Sequence, residues 1–388
     1  MNQTRTHRVK TQRRKKRKMW IRATVQTFLF CLLTVLAIGV YQFANSFSSD
    51  SGSDGRFPLT QPDNQHTEQE PHQEPQIHLT FAGDVIMAGN VEKMLIEKGY
   101  DYPYTELKDL FLQDDYTIAN LETPVTTRGT PPINKAFVYK SPPAALPALK
   151  AAGIDAVNLA NNHSMDQGVE GLLDTFASLD ENQIEYLGAG VDSARAYAPV
   201  YVEKNGIRVA IFGFSRVIPE VSWYAGKNKP GVAATYDPTQ AIQAIQEARP
   251  KADLIVVIPH WGEERKDFPL DNQKELARAY IDAGADLIVG GHPHVIQGLE
   301  QYKDKWIAYS LGNFIFTRST EPRTWESIAL QASCTKTGKC ELRAIPFHAE
   351  LARAVPMNEA DGAALLNRLQ SISTDVQIDA DGNISNVK

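Results

Sequence analysis

Eight short apolar runs, each closed by a polar cluster, constrain the fold more than any other feature of this chain. They read IHLTFAGD, YTIANLE, DAVNLANNH, EYLGAG, VAIFGFS, DLIVVIPHWG, DLIVGGHPH and WIAYSLGNF. Between them, AALPALKAAG, VEGLLDTFASLDENQ, PTQAIQAIQEARPKA and NQKELARAYIDAGA carry apolar residues at helical spacing. Runs rich in Val, Ile and Phe without polar alternation suit strands buried on both faces. Strand followed by helix, repeated, predicts an α/β domain. VYVEKNGIRVAIF places Asn205-Gly206 between two strand-like runs, which predicts a hairpin and therefore a mixed sheet. The text after Trp325 is β-rich and then less structured. The folded domain is drawn over 77–350, with 351–388 as a C-terminal extension.

The polar residues fall at the ends of the runs. Asp84 ends the first, Asn120 and Glu122 the second, and Asn161, Asn162 and His163 the third. His260 ends a later run, and His292 and His294 flank Pro293 in GGHPH. In open α/β sheets the carboxyl ends of the strands face one crevice, so these residues are expected to converge. Asp, Glu, Asn and neutral His hold divalent transition metals in hydrolytic sites, and four of the nine histidines lie in these clusters. Each cluster alone has a plainer reading. AGD suits a turn whose Asp caps a helix, NLE a solvated Glu, and GGHPH a turn. His260 suits packing on Trp261, and Glu263 and Glu264 suit solvent. The NNH cluster is harder to dismiss, because two amides and an imidazole are costly to bury unpaired. Asn120, Asn161 and Asn313 are candidates for substrate contact, Asn313 equally for a turn before Phe314 and Phe316. The insert VSWYAGKNKPG offers Trp223 and Tyr224 as a lid, with Lys227 and Lys229 toward an anionic chain, or a packed loop with solvated lysines.

Charge divides the chain. Residues 1–44 carry ten Lys and Arg and no acid, against 30 basic and 46 acidic residues in the remainder. A nucleic-acid binder usually places its positive charge on the folded part, so no nucleic-acid partner is expected, with a nucleic-acid role for the basic tail as the weaker alternative. Residues 1–22 read as a basic cytoplasmic tail. Residues 23–44 contain no charge over 22 positions, enough for a membrane-spanning helix, with RRKKRK in front. That order predicts a single pass, a cytoplasmic N-terminus and an extracytoplasmic main domain, with a cleaved signal peptide as the competing reading. Residues 45–76, rich in Ser, Gln, Pro and acid, read as a disordered stalk holding solvated His66 and His72. Cys31 lies inside the expected span. Cys334 and Cys340 bracket the turn TKTGK, and outside the membrane they are expected either to pair or to remain free thiols.

The order of the clusters resembles the calcineurin-like metallophosphatase pattern, and more closely the bacterial capsule-synthesis CapA/PgsA family. The resembling pieces are FAGDVIMAG, ANLETPV, NLANNHSMDQG, PHWGEE, DAGADLIVGGHPHVIQGLE and YSLGNFIF, spread over about 240 residues. The basic tail and span are also similar to those of PgsA-type members. The resemblance implies a metallophosphatase-like αββα sandwich with mixed sheets, preceded by one transmembrane helix. It implies one or two divalent ions (Mn, Fe or Zn) held by Asp84, Glu122, Asn162, His260, His292 and His294, with Glu122 in the bridging place. His163 is implied as the catalytic histidine. Asp166, three residues on, is read either as its orienting partner or as a helix cap. One departure stands out: Ile86 occupies the position of an expected histidine ligand, so one metal position loses a donor. The implied function is synthesis or export of an anionic polymer, poly-γ-glutamate first, with other subunits of a membrane synthase complex as partners. The alternative is a metal-dependent hydrolase of a phosphoester or amide.

Overall fold

β-branched and aromatic residues crowd the eight runs, and those runs become strands because their side chains fill both faces of a sheet. In the computed structural model the described residues are 74–387 without Lys108. The expected tail, span and stalk up to residue 73 lie outside them, with Cys31, His66 and His72. Among the described residues no helix is long and apolar enough to cross a membrane.

The first strands are β1 (Gln76–Val85), β2 (Tyr116–Leu121), β3 (Ile154–Asn158), β4 (Glu185–Leu187), β5 (Ala189–Gly190) and β6 (Val200–Lys204). Then come β7 (Ile207–Ser215), β8 (Gly231–Val232), β9 (Leu254–His260), β10 (Leu287–Val289), β11 (Ile296–Tyr302) and β12 (Lys305–Leu311). The last are β13 (Asn313–Ile315), β14 (Glu326–Thr335), β15 (Cys340–Glu350), β16 (Arg353–Pro356), β17 (Val376–Ile378) and β18 (Asn383–Asn386). The helices are α1 (Asn90–Lys98), α2 (Leu146–Ala151), α3 (Gly168–Glu181), α4 (Ser193–Ala196), α5 (Thr239–Ala248), α6 (Asp271–Ala283) and α7 (Glu359–Ser371).

Two mixed sheets result. One runs β17-β18-β15-β14-β1-β2-β3-β4, with β13 beside β1 and β16 beside β15. The other runs β11-β12-β10-β9-β7-β6. Strands β1 to β4 are parallel, and so are β7, β9, β10 and β12; helices lie in every crossover but that from β10 to β12, which passes through β11. The hairpin expected at Asn205-Gly206 joins β6 to β7, and both turn residues have φ of 53° and 74°, the conformation such a turn requires.

The sheets face each other through one core in which Leu79, Phe81 and Ile118 meet Val209, Ile211 and Val256. Leu95, Leu149 and Leu172 of α1, α2 and α3 cover the outer face of the first sheet. Ile245, Leu276 and Tyr280 of α5 and α6 cover that of the second. Helices on both outsides of two stacked sheets give four layers, and residues 71–388 form one compact unit.

The expectation of a loosely structured end after residue 350 is corrected. β16 pairs with β15, and β18 pairs with β15 through Leu342 and Ile384. α7, capped by Asn358 Oδ1 accepting from the Asp361 N–H at 2.9 Å, buries Leu365, Leu366 and Leu369 in the inter-sheet core. A stripe of three leucines cannot stay in water when an uncovered sheet edge lies beside it.

Cys334 and Cys340 face each other across the β14–β15 hairpin and form a disulfide. It closes a loop of only six residues in sequence separation. Replacing both cysteines with serine is therefore expected to lower unfolding stability by only about 2 kcal/mol, measured by urea denaturation of residues 74–388.

Candidate metal centre

Parallel strands that start at one edge also end at one edge, and the polar residues sit where they end. Asp84 pairs in register with Asn120 on β2 and with Asn313 on β13. Asn120 pairs in turn with Asn158 on β3. His260, the last residue of β9, bridges to Gly291 after β10. The carboxylates thus come from the first sheet, and three imidazoles come from the second.

The GGHPH loop makes this approach possible. A Cβ on Gly290 would lie 2.3 Å from the Tyr309 carbonyl oxygen, and one on Gly291 would lie 2.9 Å from Asp84 Oδ1. Only glycine lets the backbone pass so close. His292 and His294 then adopt left-handed backbone, with φ of 99° and 58°, which costs energy and aims both rings inward.

Two donor triads result. Glu122, His260 and His292 offer ligand atoms within 4.8 Å of one another, and so do Asp84, Glu122 and His294. Glu122 belongs to both. Its carboxylate is fully buried, yet neither oxygen has a hydrogen-bond partner, and His292 Nδ1 has none either. Buried polar atoms left unpaired in a native protein need an explanation, and a bound cation supplies one. The donor set therefore fits a divalent ion. Asn162 stands beside the first triad, with Oδ1 2.8 Å from His260 Nε2. Asp84, Glu122, Asn162, His260, His292 and His294 are thus all brought together.

The two triads differ on their open sides. Ile86 is buried against Ala88 and Phe316, and the Phe316 ring lies 4.9 Å from that of His294. Beside Asp84, Glu122 and His294 the wall is accordingly apolar where a further imidazole was expected. The first triad gains Asn162, whereas the second gains nothing.

Electrostatics follow from this packing. Burial alone would raise the Glu122 carboxyl, but His294 and His260 outweigh it and hold it well below the usual carboxylate range. Burial disfavours a charged His294, yet Glu122 and Asp84 prevail and raise it to about 9. His292 goes the other way: burial, then His260 and His294, push it well below its ordinary value, leaving the neutral form that ligates metal.

Asn120, Asn161 and Asn313, expected to contact substrate, do not face an open surface. All three are buried with their amides committed. Asn120 donates to Asp84 Oδ1 at 2.7 Å and lies 3.2 Å from His260 Nδ1, while its oxygen accepts from Asn158 and Asn161. Asn161 donates to the Leu121 carbonyl and accepts from the His163 N–H and the Ser164 hydroxyl. Asn313 Oδ1 lies 3.0 Å from His294 Nδ1, and its amide donates to Thr324 O. These amides orient the donors instead, because a buried amide must spend its hydrogen bonds on what surrounds it.

His163 sits beside the first triad. Its Nδ1 lies 2.7 Å from Asp166 Oδ2, so Asp166 orients the ring. Asp166 caps no helix: α3 starts at Gly168, and the carboxylate also accepts from the Tyr139 N–H at 2.7 Å and from Lys135. Sequence reasoning missed Lys135 and Tyr139. Lys135 Nζ reaches the Asn162 carbonyl at 2.5 Å and lies 2.9 Å from His163 Nδ1. Burial lowers the Lys135 pKa despite Asp166 and Glu122 nearby. The Tyr139 ring lies 4.5 Å from that of His163. Both residues arrive on a loop, INKAFVYK, with no periodicity to mark it. Trp223 is not a lid. It is buried, and Lys135 Nζ stands 5.2 Å from its ring centre, so it forms part of the wall. Tyr224 stacks on Tyr236, whereas Lys227, Lys229, Glu263 and Glu264 are exposed.

With this geometry in place, comparison with known proteins adds the lineage. The family model described as bacterial capsule synthesis protein PGA_cap matches residues 78–318. The chain belongs to that family. The PGA biosynthesis protein CapA of Bacillus subtilis (strain 168) is 38% identical over 273 residues, covering 69% of this chain and 71% of the relative. The capsule biosynthesis protein CapA of Bacillus anthracis is 35% identical over 289 residues, 73% of this chain and 70% of its own. A Mycobacterium tuberculosis protein named as a probable polyglutamine synthesis accessory protein is 35% identical over 212 residues, 52% of this chain and 55% of its own. The matched stretch contains every candidate donor residue described above.

Metal binding must displace the proton that His294 holds up to about 9. Calorimetric titration of residues 74–388 with Mn or Zn at pH 7.5, in two buffers of different ionisation enthalpy, is expected to show about one proton released. The release should vanish in His294→Asn. Asn120→Ala, which leaves Asp84 and His260 unoriented, is expected to weaken the ion about 10–100-fold.

Proposed function

We propose that this protein works outside the membrane, held by the apolar segment at residues 23–44, in the synthesis or export of an anionic capsule polymer. Poly-γ-glutamate is the first candidate. Its partners are the other subunits of a membrane synthase complex and the polymer itself. The observation that carries this reading is the 38% identity to a PGA biosynthesis protein across most of both chains. The Mycobacterium relative's name, an accessory protein of polyglutamine synthesis, favours a supporting role over the polymerising step itself.

A second reading concerns what the site does within that role: a metal-dependent hydrolase of metallophosphatase type, acting on a phosphoester or on an amide of the polymer. The shared, unpaired Glu122 carboxylate between two donor triads favours it. A divalent ion held there, Mn, Fe or Zn, would supply Lewis acidity toward a phosphoryl or carbonyl oxygen. Glu122, Asn162, His260 and His292 would hold one ion. Asp84, Glu122 and His294 would hold a second, more weakly, because Ile86 contributes no donor. His163 is the proton carrier for a leaving group. Asp166 fixes its Nδ1 side, and Lys135 ties Asp166 and the Asn162 backbone to the same point. Nothing but Asp166 and Lys135 needs to touch Nδ1, so Nε2 is the atom that serves the substrate.

In capsule-forming cells, His163→Ala and His294→Ala are each expected to abolish polymer output while the protein stays in the membrane fraction. Normal capsule from both variants would defeat any site-dependent role. Assay of phosphodiester and γ-glutamyl bond cleavage by the metal-loaded protein then separates the two readings: turnover lost in His163→Ala supports the hydrolase. A protein that matters for capsule but neither holds metal nor turns over is an accessory component.

A further inference from the structure

Scattered single apolar residues on a surface are ordinary. Their placement here is not. The described residues with the most exposed large apolar side chains are Ile133 at 98%, Val221 at 73%, Ile96 at 69%, Phe137 at 68% and Phe268 at 64%. Four of these five, all but Ile96, sit on loops that border the metal centre. Ile133 and Phe137 flank Lys135 on the loop from Thr127 to Lys140, which enters the site through Lys135 and Tyr139. Val221 lies two residues before Trp223, over which Lys135 is placed. Phe268 follows Arg265, whose N–H donates to Pro293 O in the GGHPH loop at 2.7 Å. The rim of the site therefore carries bulky side chains that nothing in the fold covers.

Charge singles out the same rim. Residues 45–388 hold 30 basic against 46 acidic side chains. Yet the two loops at 127–140 and 216–230 hold Arg128, Lys135, Lys140, Arg216, Lys227 and Lys229 against Glu220 alone, although Arg128 pairs with Glu170 and Asp174, and Lys135 with Asp166. The Phe268 loop mixes both signs. Lys140, Lys227 and Lys229 are exposed. Apolar tips set among bases, on an otherwise acidic domain, are the composition of a surface that enters the interface of an anionic bilayer.

We infer that this rim is a membrane-docking surface: Ile133, Phe137, Val221 and Phe268 enter the outer face of an anionic bilayer, and the mouth of the metal centre opens toward that face. The inference rests on the proposed membrane anchoring. The sequence reading of residues 45–73 as a flexible tether would keep the domain within about 30 Å of the bilayer, so weak loop insertion is enough to orient it. A site opening toward the membrane meets a polymer where it leaves a membrane synthase, before solvent does.

The test uses residues 74–388, which contain every apolar core described above, with vesicles of phosphatidylcholine alone or with 30% phosphatidylglycerol at two salt concentrations. Sedimentation with the anionic vesicles, weakened by salt, is expected. Ile133→Ser with Phe137→Ser is expected to reduce it about ten-fold or more, since each buried apolar side chain adds to partitioning. Lys140→Glu with Lys227→Glu is expected to abolish the preference for phosphatidylglycerol. Circular dichroism and retained metal binding show that the variants are folded. No vesicle binding by the unsubstituted domain, or binding that survives both pairs of substitutions, overturns the inference. Binding to soluble poly-γ-glutamate through these same residues, without vesicle binding, overturns it in favour of a polymer contact. Capsule output that depends on His163 and His294 alongside failed vesicle binding leaves the capsule role standing and removes the docking surface alone.

Discussion

Everything at the functional edge of this protein is arranged around one buried carboxylate without a hydrogen bond, that of Glu122. Its oxygen lies 3.5 Å from His260 Nε2 and 3.8 Å from His294 Nε2, too long for hydrogen bonding and short enough for strong attraction. A carboxylate so placed is costly unless opposite charge faces it. His294, which Glu122 and Asp84 raise to about 9 despite burial, would supply that charge at neutral pH, and a divalent ion would take over the same task. The interaction also spans the two sheets, because Glu122 follows β2 whereas His260 ends β9 and His294 follows β10.

Holding that carboxylate requires a second layer, and asparagine supplies it. Asn120, Asn158 and Asn161 form a connected set of amides beneath the donors, and Asn313 holds His294 separately, each able both to donate and to accept. Asn120 links Asp84 from one sheet to His260 from the other. A charged residue there would compete for the ion, and an apolar one would leave Asp84 and His260 free to turn. The same logic places Asp166 and Lys135 behind His163.

The rim obeys different physics. Among the fully buried side-chain polar atoms of the described centre, only the Glu122 oxygens and His292 Nδ1 lack a hydrogen-bond partner. Further out, the loops carry bulky apolar tips and the exposed bases Lys140, Lys227 and Lys229. Interior and rim are separable for this reason: residues that hold the donors are buried and mutually bonded, whereas residues at the mouth answer to whatever lies outside the molecule.

Much of the architecture was legible in the sequence because it depends on local pattern. Buried strands need uninterrupted apolar runs, helices need their periodicity, and Asn205-Gly206 specifies its hairpin through backbone preference alone. The donor residues were legible too, since parallel strands bring their carboxyl ends together whatever lies between them. What the sequence could not express was direction and competition. Asn120, Asn161 and Asn313 looked available for substrate, and only packing showed their amides committed to the donors. Lys135 carries no periodic signal, and it belongs to the site only because its loop folds back over His163. The Leu365, Leu366 and Leu369 stripe gave its helix no visible partner until the sheet edge beside it was formed. Residue identity and order settled which groups reach the edge; three-dimensional packing alone decided which are shared, which are spent and which face outward, because each of those depends on neighbours far apart in the chain.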